Sequence, residues 1–301
     1  MERTIRYGLI DLANRTTQRV TLQAARFGTW GMLGEELAFW WQQDREAVAL
    51  TTGPLTGCGA PGTGAMAWNY LKEGRLHTLA TEGRLGAWLR YAGLDALVFC
   101  GKTDGPLWLE VSAQELTLRA GKPSYAALAA QKPTEEAVVA TVRPRGILED
   151  GLFALSDRSL ARRLLDKGLT ALVVDAGEEG GLAVADSARL ARLCVELYSW
   201  AAKEGPLAGD RNAPARYLSL DHMAPLNKRD IYMNPACTPE EQLYAALGIL
   251  WSPHLEGRDR RADTAALLEA CLGGRCDPAE LDRLGNYLAR LRLTNLEGGE
   301  A

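Results

Sequence analysis

Residues 46–68, EAVALTTGPLTGCGAPGTGAMAW, set the frame for the whole chain. The stretch begins as an apolar β-type run, Ala47 to Leu50, and then opens into a segment punctuated by Gly53, Pro54, Gly57, Gly59, Pro61, Gly62 and Gly64. No regular helix carries that density of glycine and proline, because glycine leaves the backbone too free and proline removes a donor and clashes with the preceding turn. The segment therefore reads as a buried strand that feeds a long structured loop.

Upstream, IRYGLIDL (5–12) and QRVTLQ (18–23) are short β-type runs separated by the polar Asn14-Arg15-Thr16, the pattern of a hairpin. LGEELAFWWQQ (33–43) has helical spacing through Leu33, Leu37, Ala38 and Trp41. Adjacent aromatics at Phe39, Trp40 and Trp41, with Trp30 and Trp68 near in sequence, cannot all bury on one helix face. At least one of Trp40 and Trp41 is expected to meet a second element, another domain or another chain.

Downstream, GRLGAWLRYAG (83–93) reads as a helix closed by Gly93 and followed at once by the strand DALVFCG (95–101). PLWLEV (106–111) and ELTLRAG (115–121) form a strand pair, and AVVATVR (137–143), LSDRSLARRLLDKG (155–168) and TALVVDAG (170–177) read as strand, helix and strand. Ser156 or Asp157 is positioned to cap that helix. Beyond Asp186 the segments at 186–205, 239–251, 263–274 and 277–293 all have helical periodicity, with Pro239 and Pro278 at helix starts. The expected class is α+β, with an α+β domain over 1–185, a helical region over 186–301, and an irregular connection at about 204–236 rich in Gly and Pro.

The 301 residues are 47% hydrophobic and 24% charged, a composition of globular proteins with ample core. The 34 Lys and Arg against 38 Asp and Glu give a net charge of −4, which disfavours a nucleic acid backbone as the main partner. No segment approaches the roughly 18 uninterrupted apolar residues of a membrane span, so no membrane partner and a cytoplasmic location are expected. The six cysteines, Cys58, Cys100, Cys194, Cys237, Cys271 and Cys276, are too sparse for a disulfide scaffold and are expected as reduced thiols.

TTGPLTGCGAPGTG (51–64) followed by GRLGAWLRYAGLDALVFCGKTDGPLWLEV (83–111) resembles the N-terminal domain of the tungsten-containing aldehyde:ferredoxin oxidoreductase family, in order, spacing and residue type. The YGLIDL…QRVTL pair fits that family's opening hairpin, and residues 267–299 look like its late helical stretch. The resemblance implies a β-rich base on which a tungsten or molybdenum pterin lies. Later helices would supply a [4Fe–4S] cluster, and aldehyde would be oxidised with electrons passed to ferredoxin. It assigns cofactor contact to Thr56, Gly57, Ala60, Pro61, Gly64 and Gly83, where backbone N–H groups approach a phosphate without an intervening Cβ. No catalytic residue and no protein metal ligand is assigned.

The chain also departs from that pattern. It has no Cys-x-x-Cys-x-x-x-Cys run of the kind a cubane needs, so no iron–sulfur cluster is expected. Its closest pair, Cys271 and Cys276, reads as two ordinary thiols. Ala65 and Ala67 stand where the family places Arg and Asn, and Ala80-Thr81-Glu82-Gly83 replaces an Asn-Ser-Gly-Gly turn, with Glu82 bringing negative charge toward a phosphate position. SLARRLLDKGLTALVV (159–174) is an amphipathic helix and strand where the family has a second glycine-rich segment, and YAALGILWSP (244–253) lacks the family's Asp-x-x-Gly-x-Cys motif. His77, His222 and His254 have no metal-site spacing, His222 beside Asp221 reads as a loop histidine, and Lys228-Arg229-Asp230 as a solvated turn.

Three readings follow from the resemblance. The leading one is a divergent family member without cluster ligands, a non-autonomous pterin-binding or accessory subunit. Its expected partner is a second copy, a full-length family subunit or a ferredoxin-like protein. The others are a working tungsten or molybdenum pterin oxidoreductase with a borrowed cluster, and a cofactor-free interaction module.

Overall fold

The architecture comes from a computed structural model that describes residues 2–25, 44–177, 180–203, 231–233, 238–250, 255 and 257–293. The expected helix at 33–43 with its aromatic cluster, His222, His254 and the 228–230 turn lie outside these residues, as does most of the connection expected at 204–236.

Strands β1 (Glu2–Asp11) and β2 (Thr16–Ala25) form the expected hairpin in continuous antiparallel register, Glu2 opposite Ala25 through Asp11 opposite Thr16. Asp11 holds the turn by accepting from the Asn14 backbone at 3.0 Å and side chain at 2.7 Å, while Arg15 takes a positive φ of 54°. β3 (Val48–Thr52) leads into the glycine-rich loop, and β4 (Ala65–Lys72) and β5 (Arg75–Glu82) follow as a second hairpin. Glu73 and Gly74 both have positive φ at its tip, the requirement of a tight primed turn. Sequence periodicity does not announce this hairpin, because β4 is buried on both faces and the polar–apolar alternation of a half-exposed strand is absent.

α1 (Arg84–Tyr91) and β6 (Ala96–Cys100) come next, and Gly93 closes the helix at φ 77° with its N–H donating to Arg90 O. Then come β7 (Leu107–Val111), β8 (Leu116–Ala120), α2 (Tyr125–Ala129), β9 (Val138–Arg143), β10 (Gly146–Glu149), β11 (Leu152–Leu155), α3 (Arg158–Asp166) and β12 (Leu169–Val174). Of the two capping candidates for α3, Asp157 serves, accepting from Leu160 N at 2.7 Å. The later chain supplies α4 (Ser187–Lys203), β13 (Ile231–Met233), α5 (Pro239–Leu247), α6 (Arg260–Leu272) and α7 (Pro278–Leu293). Thr238 and Glu241 make a reciprocal capping box at the start of α5, with Pro239 in its first turn.

The strands form two mixed sheets, a seven-stranded one ordered β13-β5-β4-β3-β6-β1-β2 and a six-stranded one ordered β11-β10-β9-β12-β7-β8. The fold is thus α+β. Ile10, Leu50, Trp68 and Leu79 of the first sheet share one apolar core with Leu109, Val111, Val138, Ala140 and Leu172 of the second, and Leu85, Trp88 and Leu89 of α1 with Leu160 and Leu164 of α3 belong to it. A polar tie supplements it where Lys167, with a nearly buried side chain, donates to Asp44 at 2.8 Å and to Gly101 O at 2.9 Å. A second core unites Leu55, Cys58 and Ala60 of the glycine-rich loop with Leu197, Leu247, Ile249, Leu268 and Cys271 from the helices.

Candidate functional site

The loop from Gly53 to Gly64 is an ordered object built on its own hydrogen bonds. The Thr56 hydroxyl accepts from Gly53 N at 2.9 Å and donates to Ala65 O at 2.6 Å, which ties the two ends of the loop together. Thr56 N donates to Gly53 O, Cys58 N to Leu55 O at 3.0 Å, and Gly57 N to Thr63 O at 2.7 Å. Thr63 returns to Ala60 O through its hydroxyl at 2.6 Å. Buried backbone groups need partners, and here the loop supplies most of them.

Three helices grip this loop. From α1, Arg90 donates to Gly53 O at 2.6 Å and the Tyr91 hydroxyl to Gly57 O at 2.6 Å. From α4, the Tyr198 hydroxyl donates to Gly59 O at 2.9 Å. The C-terminal end of α5 lies against the loop backbone to backbone: Leu55 N donates to Leu247 O at 2.8 Å, and Leu250 N to Gly62 O at 2.9 Å. A Cβ placed on Gly53 would come within 3.0 Å of backbone atoms of Leu247 and Gly248, and one on Gly62 would lie 2.5 Å from Leu250 O. These two glycines therefore serve the approach of α5.

The start of α1 is the second part of the site. Gly83 N donates to Gly64 O at 3.2 Å, which brings Gly83 to the glycine-rich loop. The first helical amides, Arg84 N and Leu85 N, donate to Oε1 of Glu149 at 2.5 and 3.2 Å. A helix N-terminus carries unsatisfied N–H groups and a partial positive charge that suits an anion, and the chain's own carboxylate takes that place. A Cβ on Gly83 would lie 2.4 Å from Glu149 Oε2, so a larger residue there would have to displace the Glu149 carboxyl. Glu149 Oε2 finds no hydrogen-bond partner among the described residues. Burial pushes the Glu149 carboxyl up to about 7 against the pull of the two amides.

The third part is the outer face of the β4–β5 hairpin. Ala67 and Ala80, cross-strand partners, pack against Ala245 and Ala246 of α5 and Leu288 of α7. Glu82, two residues along β5 on the same face, has its carboxyl pushed up to about 8 by burial.

Thr56, Gly57, Ala60, Pro61, Gly64 and Gly83 are thus brought into one continuous structure. The N–H groups of Thr56, Gly57 and Gly83 donate within the chain, and the two amides that follow Gly83 donate to Glu149. The β4–β5 face beside them is covered by α5 and α7. A pterin phosphate placed here would meet the Glu82 and Glu149 carboxyls, and the N–H groups of Thr56, Gly57 and Gly83 already serve the chain itself. Glu149 was invisible to sequence reasoning, because nothing local links position 149 to the turn at 83; its only signal is an acidic residue in an otherwise apolar strand, GILE. Among the described residues no three of His, Cys, Asp and Glu come together to hold a metal ion, and no helix is long and apolar enough to cross a membrane.

Comparison with known proteins agrees with this architecture. Residues 9–143 match the family model described as aldehyde ferredoxin oxidoreductase, N-terminal domain. The tungsten-containing aldehyde ferredoxin oxidoreductase of Pyrococcus abyssi is 27% identical over 181 residues, which cover 54% of this chain and 29% of that protein. The chain therefore spans under a third of the curated relative it matches. A solved structure described as the active site complex BamBC of benzoyl coenzyme A reductase in complex with 1,5-dienoyl-CoA superposes with a TM-score of 0.55 over 65% of this chain and 34% of that one, at 21% identity, a likeness of fold. With the glycine-rich loop, the two sheets and the matched span in agreement, residues 9–143 form a divergent domain of the aldehyde ferredoxin oxidoreductase N-terminal type.

Proposed function

We propose that this chain is an accessory member of its family, a subunit that works beside a cofactor-bearing partner and takes no pterin on its own β4–β5 face. The observation that carries the reading is occupancy: α5 and α7 cover Ala67 and Ala80, and Leu247 to Leu250 hydrogen-bond to the loop. Small residues and glycines that suit close approach of a flat cofactor suit close approach of a helix for the same steric reason. The similar solved structure is described as part of an active site complex, which supports a role within an assembly. A full-length family subunit, a ferredoxin-like protein or a second copy of this chain is the partner this reading expects, in a cytoplasmic setting.

The test is elemental analysis for tungsten, molybdenum and iron, with pterin fluorescence after denaturation, on protein purified without oxygen, together with identification of co-purifying subunits. The expected result is substoichiometric metal and pterin in the isolated chain and recovery of a family relative with it. Stoichiometric tungsten or molybdenum with pterin in the isolated chain would replace this reading by that of an oxidoreductase with a borrowed cluster.

A further inference from the structure

β2, at the edge of the first sheet, lies beside β8, at the edge of the second. At this seam the Thr17 hydroxyl donates to Leu116 O at 2.8 Å, and Arg19 donates through Nη2 to Ser112 O in the β7–β8 turn. The β1–β2 register sets Gly8 opposite Arg19 and Arg6 opposite Thr21. Arg6 and Arg19 are therefore diagonal neighbours on one face of the hairpin, about 7–8 Å apart along the backbone and within reach of each other's long side chains. We propose that Arg6 and Arg19 form an anion site at this seam, one that takes a phosphate group.

The strand face brings the two guanidiniums together without a carboxylate between them. Along β1, Ile10 belongs to the core shared by the sheets, Gly8 meets the second sheet, and Arg6 is exposed. A Cβ on Gly8 would lie 2.8 Å from Leu116 Cδ1, so Leu116 fills the place across from Arg19 and β1 offers Arg19 no side chain there. Asp95 accepts from the Arg6 backbone N–H at 3.0 Å, and its carboxylate forms a salt bridge with Arg90. Among the described residues neither the Arg6 nor the Arg19 guanidinium is in a salt bridge.

Two costs mark the pair as incomplete without a ligand. Nε of Arg19 is buried and has no hydrogen-bond partner among the described residues, and an unpaired buried donor is unfavourable, most of all on a charged group. Like charges on neighbouring strand positions also repel. Burial, and then Arg6, hold the Arg19 guanidinium below its ordinary value, although it stays charged. A phosphate beside Arg19 gives the guanidinium acceptors and sets two negative charges against two positive ones, and the planar forks of arginine match phosphate oxygens in pairs. Arg6 and its cross-strand partner Thr21 are exposed and Arg19 is half-buried, so the pair is open to a ligand from solvent.

The experiment is calorimetric titration of the full-length chain with inorganic phosphate and, separately, with glycerol phosphate, at an ionic strength fixed with chloride. The expected result is saturable binding of a single anion per chain, weakened by about tenfold or more in Arg6→Gln and in Arg19→Gln. Arg145→Gln, at an exposed arginine in the β9–β10 turn, is the control for overall charge and should bind as the native chain does. Equal affinity for the two probes identifies free phosphate as a sufficient ligand, and tighter binding of glycerol phosphate identifies a phosphorylated small molecule; either supports the site. No saturable binding of either probe, native affinity in Arg6→Gln, or acetate binding as tightly as phosphate overturns the proposal. Because Arg6 is exposed and its guanidinium forms no salt bridge among the described residues, Arg6→Gln decides the matter even where Arg19→Gln fails to fold.

Discussion

Gly53→Ala tests whether the glycine-rich loop is shaped for α5. The new methyl would fall within 3.0 Å of the Leu247 carbonyl and Gly248 N, all backbone, so no side chain can rotate away. Overpacking of this kind costs about 1–3 kcal/mol. Displacing α5 would also break the buried Leu55 N to Leu247 O bond of 2.8 Å, at about 1–3 kcal/mol for groups left unpaired. Taking about 3 kcal/mol in total and a urea slope of about 3 kcal/mol/M, the midpoint should fall by about 1 M. Gly59→Ala is the control from the same loop: it is exposed, with nothing within 4 Å of the added Cβ and a φ of 86°. Its cost is the left-handed backbone penalty alone, about 1 kcal/mol. Urea unfolding followed by tryptophan fluorescence measures both, and limited proteolysis reports release of α5. A Gly53→Ala protein within about 0.5 kcal/mol of the native chain, or equal losses at the two glycines, would refute the reasoning.

The Glu149 carboxyl, ordinarily near 4.5, sits at about 7 in the fold. Its stabilising contribution is therefore complete below about 4.5 and is lost as pH rises through 7. Glu149→Gln keeps an acceptor for Arg84 N and Leu85 N, so it should match the native chain at pH 5 and exceed it by about 1–3 kcal/mol at pH 8 in urea titrations; an unchanged pH profile would argue against a protonated Glu149. Lys167→Met removes the donor to Asp44 and Gly101 O, and a loss of about 2–3 kcal/mol is expected in thermal or urea unfolding. That loss should shrink when Asp44→Asn is added, and full additivity in the double-mutant cycle would contradict the pairing.

Local chemistry was legible in the residues themselves. Proline and glycine between 53 and 64 forbid a helix wherever they sit, and Gly93, Asp157 and Pro239 mark helix ends because capping involves groups only a few positions apart. The order and spacing of 51–64 and 83–111 carried the resemblance that the match over 9–143 bears out, since close backbone approach restricts which residues a position tolerates. The β4–β5 hairpin was hidden, because strands buried on both faces lose the two-residue alternation that marks a sheet edge or a solvated face. What covers a small-residue face was equally hidden: Ala67 and Ala80 are compatible with a ligand or a helix, and only folding placed Ala245 and Ala246 on them. The carboxyl of Glu149 at the start of α1 and the Leu55 N to Leu247 O bond join positions 65 and 192 residues apart, with Glu149 measured from Arg84. Such pairs are decided by how the two sheets and the later helices pack, and packing depends on the whole chain at once, while propensity and capping act within a few residues.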